Sequence, residues 1–137
     1  MIHKFSIEIE PKTKKNSQRI IMVKDRYGRP RPRIIPSKAF IDYQNAALPF
    51  CPDLNIDYPV NIKATYYRRK HHRVDLTNLE SALMDILVKA GTLKDDSVSI
   101  VVSTDGSRVK YDPDNPRTEV EITAAEEKTT ETTERLN

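Results

Sequence analysis

Residues 68–98, RRKHHRVDLTNLESALMDILVKAGTLKDDSV, decide the reading of this chain. A basic run (Arg68, Arg69, Lys70, Arg73) leads to an acid, Asp75, at the mouth of an amphipathic helix, and a turn with two adjacent acids, Asp95 and Asp96, follows it. Leu76, Leu79, Leu83, Ile86 and Ala90 recur at three- and four-residue spacing and form one apolar face. Thr77 followed by Glu80 fits a capping box with Thr77 as N-cap, while Lys89 and Gly91 are C-terminal signals. Asn78, Ser81 and Asp85 share the more polar side. Acids at the two ends of one helix need a fold-back before they can share a metal ion. The expectation is that a strand before the helix pairs with one after it and draws them together.

Outward from this stretch, 137 residues are one domain's worth and enough to bury a core. No apolar run approaches the roughly 18 residues of a membrane span. The first ten residues, MIHKFSIEIE, alternate as a strand does and lack the apolar block of a signal peptide. A single cysteine, Cys51, excludes an intrachain disulfide framework and fits a reducing cytoplasm.

The net charge of +3 conceals an asymmetry. Residues 1–73 hold 16 Lys+Arg against 6 Asp+Glu, and residues 74–137 hold 7 against 14, so a basic half (+10) meets an acidic half (−7). A charge run alone is ordinarily a solvated face. Opposite runs meeting at one helix mouth point instead to a surface for phosphate beside one able to hold cations.

In chain order, Phe5, Ile7 and Ile9 mark a first strand ended by Pro11, and PKTKKNSQR brings Lys14 and Lys15 beside Asn16. Ile20–Val23 reads as a second strand, and KDRYGRPRPR as a mobile basic loop or hairpin tip carrying Arg29, Arg31 and Arg33, with Tyr27 placed to stack on a base. Ser37 caps a helix over 38–48, with Lys38 at its start and Phe40, Tyr43, Ala47 and Leu48 inward. Val60–Tyr67 alternates as a strand leading to His71 and His72, which point to opposite faces and so do not share a metal. A short strand at Val98–Val102, a loop over DGSRVKYDPDNPRTE, and a closing strand through Val120 and Ile122 follow. The order is ββ-α-β-α-β-β, an α+β domain with a mixed sheet and two main helices. Residues 124–137 are a Thr/Glu-rich tail expected to be disordered.

The stretch VDLTNLESALMDILVKAGTLKDD resembles the core motif of the RusA family of Holliday-junction resolvases: a basic run, D-[LI]-D-N-L, a helix, K-A-G and a D-D pair. The early Pro-Lys-Lys-Asn-Ser-like stretch, the Ser37–Lys38 helix start and the final strand extend the resemblance over most of residues 1–123. It implies a cytoplasmic, homodimeric, Mg²⁺-dependent endonuclease that binds four-way DNA junctions and hydrolyses paired phosphodiesters symmetrically. Carried over residue by residue, Asp75, Asp95 and Asp96 become the catalytic and metal-holding set, Asp96 foremost, with Asn78 as the motif asparagine. Lys14, Lys15, Asn16, Arg29, Arg31, Arg33, Lys38, Arg68, Arg69, Lys70 and Arg73 become the DNA contacts. The chain departs from the pattern at Thr77, where the family has a second acid, and at Ser81, where a lysine is common. Candidates for the lost charges are Asp95, Asp85, Lys15 and Lys38. The departures resemble a DLTNL variant of phage-type members, and they keep open a catalytically weakened or inactive junction-binding protein, as well as a nuclease for a different branched substrate.

Overall fold

A computed structural model of the chain describes residues 2–13 and 18–125. Strand β1 (Ile2–Ile7) is followed by the ribbon strands β2 (Gln18–Lys24) and β3 (Pro30–Pro36), then by helix α1 (Lys38–Ala47) and one 3₁₀ turn (Leu48–Phe50). Strand β4 (Val60–Arg68) leads into α2 (Leu76–Lys89), after which β5 (Val101–Ser103), β6 (Arg108–Tyr111) and β7 (Arg117–Ala124) complete the chain.

The main sheet runs β1-β7-β4-β5, with β6 also on β4. β7 is antiparallel to both β1 and β4, while β5 and β6 lie parallel to β4, so the sheet is mixed as expected. Alternation sends Val60, Ile62, Ala64 and Tyr66 of β4, and Val120 and Ile122 of β7, to one face. They join Phe40, Tyr43 and Ala47 of α1 and Leu79, Ala82, Leu83, Ile86 and Leu87 of α2 in a single core. Each large apolar side chain buried there contributes about 1.5–3 kcal/mol. The other face is polar: Lys4 and Lys63 flank Glu121, and Ser6 and Thr65 flank Glu119.

Helix ends follow local chemistry. The Ser37 hydroxyl accepts from the Phe40 N–H at 3.3 Å, capping α1 as expected. Gly91, at φ +80°, ends α2: its N–H donates to the Val88 carbonyl and that of Thr92 to the Leu87 carbonyl, a Schellman closure. The N-terminus of α2 corrects the expectation. Its N-cap is Asp75, not Thr77, and Glu80 does not close a capping box. Glu80 instead faces the Thr104 and Ser107 side chains of the β5–β6 turn, which favour its charged form against partial burial.

Four further boundaries differ. KDRYGRPRPR is half strand: β2 and β3 form a two-stranded antiparallel ribbon whose turn is fastened by Asp25, which accepts from the Tyr27 and Arg29 N–H groups. The region read as one loop contains β6, four residues between a Gly106 turn (φ +88°) and a turn in which Asp112 accepts from the Asp114 and Asn115 N–H groups. The short strand expected at Val98–Val102 starts at Val101, because Ser97–Ile100 is itself a turn. α1 stops at Ala47, where Leu48 begins the 3₁₀ turn. The tail is expected from residue 124, but Ala124 still belongs to β7; the rest of that expectation, beyond Ala125, falls outside the described residues.

Candidate nucleic-acid interface and acidic positions

The parallel β4–α2–β5 crossover decides where the acids go. α2 starts from the end of β4 and returns the chain to the start of β4. There the Leu93 backbone bridges Ile56, the Lys94 N–H donates to Ile56, and the Val60 N–H donates to Ile100. Asp95 and Asp96, between Lys94 and Ile100, therefore lie at the opposite end of β4 from Asp75. The pairing of β4 with β5 is as expected, yet it separates the acids: a parallel partner must begin beside the start of its neighbour. Among the described residues no group of three or more His, Cys, Asp or Glu side chains is placed to hold a metal ion.

Asp75 and Asp96 are exposed, and among the described residues neither carboxylate has an ion pair or side-chain hydrogen bond. Asp75 supplies only its main-chain carbonyl, which accepts from the Asn78 and Leu79 N–H groups. The Asp95 carboxylate accepts from the Ser97 N–H at 2.9 Å. Thr77 and Ser81 are exposed on the first two turns of α2, Asn78 is half-buried, and Asp85 is half-buried and has an interaction partner.

What the fold does bring to Asp75 is the basic run and β6. β5 and β6 follow β4 along one edge and deliver Tyr111 opposite Arg68. The result is a cleft of about 330 Å³ lined by Arg68, Lys70, His71, His72, Arg73, Val74, Val109, Lys110 and Tyr111. Its floor is held firmly: Arg68 donates to the His72 carbonyl, Arg69 to the Pro113 carbonyl through its side chain and to Glu10 through its backbone, and the Asp112 N–H to the Arg68 carbonyl. Across Arg68 and Val74 a smaller hollow of about 180 Å³ is lined by Glu10, Pro11, Lys12, Thr13 and Ala39. A hollow of about 410 Å³ lies on the polar sheet face and holds none of the expected site residues.

The remaining basic candidates are spread out. Arg29, Arg31 and Arg33 are exposed on the ribbon; Arg31 pairs with Asp25 at 3.1 Å and Arg29 lies over the Tyr27 ring at 5.5 Å. Lys38 pairs with Asp42 on its own helix at 2.9 Å. Lys14, Lys15 and Asn16 lie outside the described residues. Sequence reading missed Lys110 and Tyr111, hidden by the surrounding Gly and Pro; the short alternation of Val109 and Tyr111 was their signal.

The family model described as endodeoxyribonuclease RusA matches residues 40–123, from α1 to the last strand. The chain belongs to the RusA family. This match takes in Asp75, Asn78, Asp95 and Asp96 together with the whole of the basic cleft. No curated protein sequence matches the chain significantly. Among the described residues no helix is long and apolar enough to cross a membrane.

Proposed function

We propose that this RusA-family chain is a divalent-metal-dependent endonuclease that resolves four-way DNA junctions as a homodimer. The observation that carries the reading is an exposed carboxylate, Asp75, unpaired among the described residues and next in the chain to Arg73 and Val74 of a cleft that Lys70 also lines. Cations there suit phosphate oxygens, and shape with phosphate contact is how a branched backbone is recognised.

The donor chemistry fits Mg²⁺. The ion takes hard oxygen ligands and is commonly held by one or two carboxylates with substrate phosphate and water. Asp75 and Asp96 are such ligands, and both are exposed and unpaired among the described residues. The ion supplies Lewis acidity, lowering the pKa of an attacking water and offsetting charge on the leaving oxygen. α2 has 14 residues, so at 1.5 Å rise its length holds Asp75 and Asp96 about 20 Å apart within one chain. A second copy, turned about a twofold axis, offers the means of closure: Asp75 of one protomer beside the partner's Asp96, with Asp95 assisting. The same axis supplies the two sites that paired symmetric nicks need.

Nicking of a labelled four-way junction tests this directly. Paired nicks that require Mg²⁺ and vanish in Asp75→Asn and Asp96→Asn support it; tight junction binding with no nicks under any divalent metal rejects catalysis. One observation favours a weakened binding protein instead: Thr77 and Ser81, both exposed beside Asp75, put neutral hydroxyls where the family has a carboxylate and an ammonium. Nicking that appears only in Thr77→Asp/Ser81→Lys favours that second reading.

A further inference from the structure

The cleft beside Asp75 has a feature that phosphate binding does not require. The His71 and Tyr111 rings lie 3.9 Å apart between centroids and 30° from parallel, a close tilted stack. Both are exposed, Tyr111 by 47%, so the stack presents ring surface to solvent. Neither ring sits on a loose support. Tyr111 ends β6, whose backbone is paired to β4 through Arg68, and the His71 loop is held by Arg68 on the His72 carbonyl and by Arg69 on Glu10. Around the pair, Val74 and Val109 supply apolar wall and Lys70 and Arg73 supply cations, while the Lys110 ammonium lies over the Tyr67 ring, 5.9 Å from its centroid. The volume of 330 Å³ falls within the ~300–1,000 Å³ range of small-molecule sites.

Aromatic faces, an apolar wall and cations in one small cleft match the parts of a nucleotide: base, sugar and phosphate. A base can meet an aromatic face in this way only when it has left its own stack. We propose that the cleft takes one unpaired nucleotide, its base stacked on the His71–Tyr111 pair and its phosphate between Lys70 and Arg73. The inference rests on the DNA-binding reading and deepens it: the site selects DNA in which a base is unpaired, as at a branch point, over continuous duplex.

The test compares three DNAs of one sequence, with metal chelated to prevent cleavage: a duplex with one bulged thymidine, the same duplex with an abasic bulge, and a four-way junction. Wild type is expected to bind the bulged base at least about fivefold more tightly than the abasic bulge, the lower end of what base–aromatic stacking contributes. Tyr111→Ala is expected to lose that preference and Tyr111→Phe to keep it, whereas Lys70→Ala weakens binding to all three alike. Equal wild-type binding to base and abasic bulges, with the junction still bound, overturns the stacking site and leaves the DNA reading intact. Failure of wild type to bind any of the three removes the DNA reading and the stacking site together. The wild-type comparison needs no substitution, so a variant that misfolds does not rescue the proposal.

Discussion

Asp75 and Asp96 lie beyond opposite ends of one helix, with the 14 residues of α2 between them. The separation follows from a parallel crossover, which returns the chain to the end of the sheet where β4 began. For two carboxylates that are neighbours in motif, this is the fact that any account of metal binding must accommodate.

Subunit mixing gives the sharpest consequence. If each site combines Asp75 of one protomer with Asp96 of the other, Asp75→Asn and Asp96→Asn are each inactive, yet a mixed dimer regains one intact site. Co-refolding the two inactive variants should then restore nicking of a single junction strand without the paired cut. No recovery, with heterodimers verified by mass, excludes a shared site. Because the Asp75 carboxylate makes no capping hydrogen bond, Asp75→Asn should cost less than about 1 kcal/mol, only its interaction with the helix dipole.

The ribbon arginines differ in how free their charge is. Arg31 is engaged by Asp25, which also fastens the turn, whereas Arg33 is exposed. Arg33→Ala should weaken junction binding and reduce the salt slope of log K by about 1 if it neutralises one phosphate. Titrations at several salt concentrations measure this, and an unaltered slope would take Arg33 out of the interface.

Glu80 and Asp112 couple this fold to pH with opposite shifts. Partial burial raises Glu80 above its ordinary 4.5, with the Thr104 and Ser107 hydroxyls opposing it. The folded chain therefore binds the proton more tightly than the unfolded chain, and stability falls as pH rises through the window just above 4.5. Glu80→Gln should remove that slope in urea titrations taken from pH 4 to pH 7. Asp112 runs the other way: the hydrogen bond from Arg117 leads the causes that hold it below 3.8, so its contribution is present above that value and lost on further acidification. Arg117→Gln should reduce this acid-side loss, leaving the part that the Asp114 and Asn115 N–H groups supply.

Gly91 is constrained twice. Its φ of +80° disfavours any residue with a Cβ, and a Cβ there would stand 2.7 Å from the Asp53 Oδ1. Gly91→Ala should lower stability by about 1–2 kcal/mol from backbone conformation alone. If the Asp53 contact adds to that, the double variant Asp53→Ala/Gly91→Ala should recover part of the loss in denaturant titrations.

Where an element could be read from the chain, periodicity was the reason. Leu79, Leu83 and Ile86 report α2, Val60 to Tyr66 report β4, and Ser37 reports the start of α1, because apolar spacing and capping chemistry are local. Glu80 shows the limit: three residues after a threonine it has the pattern of a capping box, yet the β5–β6 turn offers it two hydroxyls that no local window contains. β6 was hidden for the same reason, since four exposed residues between turns become a strand only because β4 leaves an edge for them to pair with.

By itself the sequence determined the mixed α+β class, the amphipathic α2, the family motif and the basic character of the run before Asp75, all properties of residue type and spacing. Only the tertiary structure decided that Asp75 and Asp96 are parted by the length of a helix while Tyr111, 43 positions along from Arg68, lies opposite it. The physical reason is strand direction: hydrophobic burial requires only that α2 cover the sheet, but hydrogen bonding of β5 and β6 in parallel with β4 sets which ends of the chain meet.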